Sequence, residues 1–170
     1  RLSENGMETL PKFSESDISK AKTQHKTINI FDTDSSTISE FMSLSLNSKI
    51  EKFKLNSSFR KLKDKNSSNT FLHYICMNDD NYPLLVLINP TPKEMDSQNN
   101  LGQTTLHISL INKNYQISRY LIENGANVNL SDNDLNTSLH LAVKNGAVDI
   151  IHLLIEHQAH PILLNKNNAT

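Results

Sequence analysis

Apolar residues in the second half of the chain fall into two blocks with helical spacing. Leu106, Ile108, Leu110 and Ile111 make one block, and Ile117, Tyr120, Leu121 and Ile122 the next. Such spacing predicts two short amphipathic helices joined by a turn. The arrangement then returns as Leu139, Leu141, Ala142 and Val143, followed by Val148, Ile150, Ile151, Leu153, Leu154 and Ile155. A fainter version comes earlier, from Phe71 to Met77 and from Pro83 to Ile88. Thr70 stands where the first of these helices needs a cap. Pro83 falls in a first helical turn, where its missing N–H does no harm, and Pro90 and Pro92 end that helix.

The polar residues at the helix starts repeat too. Thr70-Phe71-Leu72-His73, Thr104-Thr105-Leu106-His107 and Thr137-Ser138-Leu139-His140 follow one another at intervals of 34 and 33 residues. Laying residues 99–131 over 132–164 without a gap matches Asn100 with Asn133, Asn112 with Asn145, Ile117 with Ile150, Leu121 with Leu154, Glu123 with Glu156 and Ala126 with Ala159. A period of about 33 residues with T-x-L-H at each helix start resembles the signature of ankyrin repeats. The resemblance implies an all-α ankyrin-repeat solenoid of helix–turn–helix units with hairpin loops, preceded by a largely disordered N-terminal tail. The expected units are residues 67–98, 99–131 and 132–164, with 165–170 opening a fourth, since Thr170 lies 33 residues after Thr137. A solenoid that stops there leaves the helices built on Leu141, Leu153 and Leu154 partly open, so the chain is expected to be a fragment of a longer protein. The extra residue of the first unit is expected in the Asn89–Asp96 connection, where insertions are tolerated. Gly102 is free to take a positive φ in its turn. Gly125 supplies a left-handed helix stop, and Gln158 replaces it one unit later.

Residues 1–66 are rich in Ser, Asn, Lys and Thr and hold little sustained apolar periodicity. Such composition buries too little apolar surface to offset the entropy of ordering. Residues 1–40 are therefore expected to be disordered, and the apolar residues between 41 and 62 predict a short helix against the first repeat.

Charge and reactive residues narrow the function. Residues 1–66 carry twelve Lys/Arg and nine Asp/Glu, a net of +3; residues 67–170 carry five and nine, a net of −4. An acidic repeat region is ill suited to gripping phosphate backbones and better suited to a basic protein segment, so no nucleic-acid partner is expected. Apolar runs are too short to span a membrane. Cys76 is the single cysteine, expected as a core thiol rather than a nucleophile. His73, His107 and His140 recur once per unit and are expected to bridge neighbouring turns by hydrogen bonds. His152, His157 and His160 cluster, but without the cysteine pair and convergent ligand set that zinc favours. No phosphate loop, nucleophile motif or paired carboxylates appear, so neither a catalytic site, a metal nor a cofactor is expected.

Asp34-Ser35-Ser36-Thr37-Ile38-Ser39 sets two serines four apart behind an acidic residue. Phosphates at Ser35 and Ser39 would each add about −1.5 to −2 charge and three acceptor oxygens for an arginine-lined partner. Ile38, Phe41, Leu44 and Leu46 have the loose spacing of a nuclear export signal.

Three matches narrow the resemblance within ankyrin proteins. Asp96 to His107 is similar to the start of the second repeat of the I-κB proteins, the cytoplasmic inhibitors of NF-κB/Rel transcription factors (Cactus in insects). The Phe71-Leu72-His73 opening and the acidic pair Asp79-Asp80 resemble that family's first repeat. Asp34 to Ser39 resembles its Asp-Ser-Gly-x-x-Ser phosphodegron, with Ser36 in place of glycine. The resemblance implies that Asp79 and Asp80 face a basic localisation segment of a Rel protein. It implies phosphorylation of Ser35 and Ser39 by an I-κB kinase, and recognition of the tail by a ubiquitin-ligase adaptor with Lys20, Lys22 and Lys26 as ubiquitin acceptors. It also implies a cytoplasmic protein of innate-immune signalling, able to shuttle to the nucleus. An ankyrin adaptor of another kind, such as one presenting substrates to a ubiquitin ligase, and a viral I-κB mimic remain the alternatives.

Overall fold

The computed structural model describes residues 35–161 together with 165 and 166. It contains paired short helices, whose first members form one layer and second members another. The T-x-L-H units supply three pairs: α3 (Phe71–Ile75) with α4 (Tyr82–Ile88), α6 (Thr105–Ile111) with α7 (Tyr115–Glu123), and α8 (Ser138–Asn145) with α9 (Val148–Glu156). Successive pairs stack, α3 on α6 and α6 on α8 in one layer, α4 on α7 and α7 on α9 in the other. Ile75, Leu84, Leu85, Leu110, Ile117, Leu121, Ile122 and Leu154 are sealed between them. A single five- to nine-residue helix would be marginal in water, so stacking of the apolar faces holds these elements in place. Among the described residues there are two isolated β-bridges and no named strand.

For residues 35–40 the expectation of disorder needs correction. Residues 35–40 belong to a helix, α1 (Ser35–Met42), followed by α2 (Leu46–Leu55) and a 3-10 turn, Ser57–Lys61. Residues 41–62 are thus two helical segments and a turn rather than one helix. The α1 helix packs on α3 and α2 on α4, so this pair covers the outer face of the first repeat. Ile38 and Phe41 are buried. The Phe41 ring lies 4.6 Å from Phe59 and 5.1 Å from Phe71, and Phe53 stacks parallel to Phe71 at 6.2 Å. Locally the segment looks too polar to order; its aromatic residues find cover only on rings 12 to 30 positions away. The remainder of the expected tail, residues 1–34, lies outside the described residues.

Arg60 clamps this cap to the first repeat. Its guanidinium donates through Nε to Glu94 Oε1 and through Nη2 to Glu94 Oε2 at 2.7 Å, a two-pronged charge-assisted contact. Nη1 and Nη2 also donate to the carbonyls of Ile88 and Asn89 at 3.0 and 3.2 Å, covering orphan acceptors at the end of α4. The Arg60 guanidinium holds the Glu94 carboxyl down at about 2. Glu94 lies in α5 (Pro92–Met95), a one-turn helix between repeats that the prolines did not announce, where its carboxylate also accepts from the Thr91 amide and hydroxyl.

The extra residue of the first unit does not lie in the Asn89–Asp96 connection. First helices start at Phe71, Thr105 and Ser138, whereas second helices start at Tyr82, Tyr115 and Val148, a constant 33 apart. Asp96 and Asn129, also 33 apart, each accept at 2.8 Å from an amide 31 residues on, that of Asn127 and of His160. The added residue therefore falls between α3 and α4, where the chain makes the 3-10 turn Asp79–Asn81.

At the other end of the stack, Val143 and Ile155 are 50% and 55% exposed, while their counterparts Leu110 and Ile122 are sealed by the following repeat. The open positions are these and Val148; Leu141, Leu153 and Leu154 face inward and are buried.

Candidate protein-binding surface

The histidines build the scaffold that presents this surface. In each unit the Thr amide points at the His Nδ1, at 3.1, 3.3 and 3.0 Å for Thr70–His73, Thr104–His107 and Thr137–His140. The Thr hydroxyls lie 2.7 to 2.8 Å from the same nitrogens. Nδ1 is thus an acceptor, which leaves the hydrogen on Nε2. His73 Nε2 donates to Gln103 O at 2.9 Å and His107 Nε2 to Asn136 O at 3.0 Å, each in the next unit. Both rings are fully buried, and burial pushes both below the usual histidine range. Neutral, doubly bonded imidazoles are inter-repeat ties, as the spacing led one to expect, and offer no open ligand position.

From these ties project the hairpin loops, which form a ladder. The amides of Asn100, Asn133 and Lys166 donate to the carbonyls of Ser67, Leu101 and Asp134 in the preceding loop at 2.9, 2.9 and 3.0 Å. The Asn100 and Asn133 side chains add bonds to the carbonyls of Asn66 and Asn100 at 2.6 and 3.0 Å. The Asn100/Asn133 identity is therefore structural. Lys166 continues the ladder where the spacing places a fourth unit. At each loop's sharpest point φ is positive: +57° at Ser68, +72° at Gly102 and +62° at Leu135. Held this way, the loops expose Leu101 and Leu135 to solvent, and α6 adds exposed Ile111. Isolated apolar side chains on a rigid polar ladder are suited to anchoring a partner chain.

The acidic pair divides into two roles. Asp79 Oδ1 accepts from the Ile117 amide in the first turn of α7 at 3.3 Å, so one carboxylate is committed within the fold. Asp80 is exposed, with its amide bonded to Asn78 Oδ1 at 2.9 Å. Lys49, buried in α2, donates to Asn81 Oδ1 at 3.0 Å; burial lowers its pKa and the nearby Asp80 charge opposes that shift. Of the two, Asp80 is the side chain presented outward.

Ser35 opens α1, and Ser39 is exposed on the same helix, its carbonyl accepting from the Ser43 amide at 3.0 Å. From Ser35 on, this segment, expected to be disordered, is helical, with Ile38 between the two serines turned into the core. Ile38 and Phe41 of the export-like spacing are buried, whereas Leu44 and Leu46 are half-buried. Lys20, Lys22 and Lys26 lie outside the described residues.

Cys76 is buried, and burial pushes its thiol far above the ordinary range, as suits an inert core residue. His152, His157 and His160 are all exposed, and among the described residues no group of His, Cys, Asp or Glu converges to hold a metal. Among the described residues no helix is long and apolar enough to cross a membrane.

Sequence reasoning anticipated a short helix over 41–62 against the first repeat, but missed that the cap starts at Ser35 and consists of two helices and a turn. Ile38, read only as part of an export-like spacing, was the missed signal, because it does not repeat the T-x-L-H unit and so fell outside the period. Comparison with protein families is consistent with including part of it. The family model described as ankyrin repeats (3 copies) matches residues 44–132 and 72–165, so the first match begins ahead of α2. Comparison with curated proteins gives no match. With the period, the histidine ties, the stacked helix pairs and a family match spanning most of its length, the chain belongs to the ankyrin-repeat family, whose repeats mediate protein–protein interaction.

Proposed function

We propose that this ankyrin protein acts as a cytoplasmic inhibitor of the I-κB type, holding an NF-κB/Rel dimer by covering its basic localisation segment. The observation that carries this reading is the likeness of Asp96–His107 to the second I-κB repeat. Its physical counterpart is the exposed carboxylate of Asp80 on the widened 3-10 turn of repeat one. A basic segment laid along repeats one and two would meet Asp80 and the net −4 of the repeat region. Asp79 would support that contact by fixing the turn to α7. The test is binding of the protein to a Rel dimer with and without its basic segment, repeated with Asp80→Ala. Loss of affinity on either deletion supports the reading; no binding to any version returns the protein to ankyrin adaptors of other kinds.

A second reading is an I-κB mimic that is not cleared by the phosphodegron route. What supports it is the helix over Ser35–Met42, which ties Ile38 into the core where a degron needs an extended, accessible strand. Incubation with an I-κB kinase separates the two readings. Phosphate at Ser35 and Ser39 followed by capture on a ubiquitin-ligase adaptor supports the degradable inhibitor, and an unmodified α1 supports the mimic.

A further inference from the structure

The cap and the repeats carry opposite charge. Residues 35–66 hold seven Lys/Arg and three Asp/Glu, a net of +4, against the −4 of residues 67–170. Lys61, Lys63 and Lys65 alternate with buried Leu62 and Asp64, and all three lysines are exposed. Asp64 is turned inward, where its carboxylate accepts from the Tyr74 hydroxyl at 2.6 Å and the Asn66 amide at 2.8 Å. The three lysines make no ion pair among the described residues. Lys63 stands opposite Thr70 in an isolated antiparallel bridge, closed by the Asp64 amide on Asn69 O at 2.8 Å and the Phe71 amide on Leu62 O at 2.9 Å. In that pattern the Lys63 amide and carbonyl face away from Thr70, and neither makes a hydrogen bond among the described residues. Alongside, a crevice of about 280 Å³ opens between cap and first repeat, walled by Leu62, Phe71, Ile88 and Pro90 and bordered by Lys61 and Lys63. A small-molecule pocket runs to about 300–1,000 Å³, so this one suits a single large side chain.

We propose that this edge docks an acidic, extended segment of a partner protein. The segment pairs strand-like with Lys63, places one aromatic or aliphatic side chain in the crevice and sets carboxylates against the lysines. Lysines on a short edge keep copies of that edge from pairing with one another, and the strand they admit is one of opposite charge. Carboxylates fit better than phosphate esters. Phosphate recognition favours guanidinium forks, and Arg60, the arginine at the crevice, is spent on Glu94 and on the carbonyls of Ile88 and Asn89. A single-stranded nucleic acid wants ring faces to stack on, whereas Phe59 and Phe71 are 3% and 1% exposed. The site does not involve Asp80, so it stands whichever factor the repeats hold.

The probe is a fluorescein-labelled peptide, Asp-Glu-Asp-Phe-Asp-Glu-Asp, titrated with the full chain by anisotropy at low salt, where exposed charges are little screened. Lys61→Glu with Lys63→Glu should weaken binding about tenfold or more, each exposed pair being worth up to about fivefold before its sign is reversed. Replacing the peptide's Phe by Ala should cost about tenfold, as for one apolar side chain left in water. Lys113→Glu with Lys144→Glu makes the same charge change at exposed positions on the repeats and should stay within about twofold. Absence of binding overturns the proposal. So does an affinity indifferent to the Lys61 and Lys63 reversals or to loss of the Phe, and so does tighter capture of an oligothymidylate of equal charge. Because the reversed lysines are exposed, unaltered circular dichroism distinguishes lost docking from lost folding.

Discussion

His107 in the second repeat donates through Nε2 to the carbonyl of Asn136, 3.0 Å away and 29 residues further on. The same ring accepts the amide of Thr104 at Nδ1. Protonation would put a hydrogen on Nδ1, facing two donors, and would place a charge in a site without solvent. His73 is held the same way by Thr70 and Gln103.

This pair predicts a pH dependence with a definite sign. Burial depresses both histidines below their unfolded value of about 6.5. Between the two values the unfolded chain binds more protons, so stability rises with pH there. The histidine contribution is therefore fully present above about pH 6.5 and is lost as pH falls through the depressed folded values. Urea unfolding from pH 7.5 to 5 should show a falling midpoint, and His107→Gln should be less stable at pH 7.5 with a flatter slope. Glu94, held at about 2, contributes with the same sign in a lower window, from its unfolded value near 4.5 downward. The two effects can thus be read separately.

The loop turns make paired predictions. Gly102 sits at φ +72°, and a Cβ there would lie 2.5 Å from Asn133 Oδ1 and 2.8 Å from the Asn133 amide. That amide is a rung of the ladder, so Gly102→Ala should cost about 2–3 kcal/mol, combining a left-handed penalty with a lost hydrogen bond. Leu135 holds the same position in the next loop at φ +62° without glycine's freedom. Leu135→Gly should stabilise by about 0.5–1 kcal/mol. Denaturant midpoints at constant m-value check both.

Ser138 and Thr105 begin equivalent helices, yet only one is satisfied. Thr105 Oγ1 donates to Met95 O at 2.8 Å, whereas Ser138 Oγ is buried without a partner among the described residues. Thr105→Ala should cost about 1–2 kcal/mol, and Ser138→Ala should be neutral or stabilising by about 0.5 kcal/mol. Equal losses at the two sites would contradict the assignment.

Phe41 tests the cap. It is 1% exposed and meets the rings of Phe59 and Phe71, so Phe41→Ala should cost about 3 kcal/mol and raise amide exchange across α1. A disordered residue 41 would make the substitution silent.

Asp79 and Asp80 should separate in experiment. Asp79→Ala removes the acceptor at the start of α7 and should cost about 0.5–1 kcal/mol. Asp80→Ala should leave stability within about 0.5 kcal/mol, as for an exposed site, while weakening a basic partner. Thermal melts and binding isotherms on the same two variants make the comparison.

By itself the amino-acid sequence determined the repeat: its period, the helix starts at Thr70, Thr104 and Thr137, the stacking role of the histidines, and a buried set that includes Leu106, Leu121 and Leu154. These are local and periodic properties, since each unit must offer its neighbours the same cap, tie and apolar face. The positive φ at Gln158, standing where Gly125 ends the previous unit, was legible for the same reason. Only the tertiary structure decided what occurs once. It ordered Ser35–Lys61 by closing Phe41, Phe53 and Phe59 over Phe71, moved the extra residue into the Asp79–Asn81 turn, and turned Asp79 inward while leaving Asp80 out. Each of these depends on contacts between residues that no period connects, and a side chain's partner across such a distance is set by packing rather than by its own neighbours in the chain.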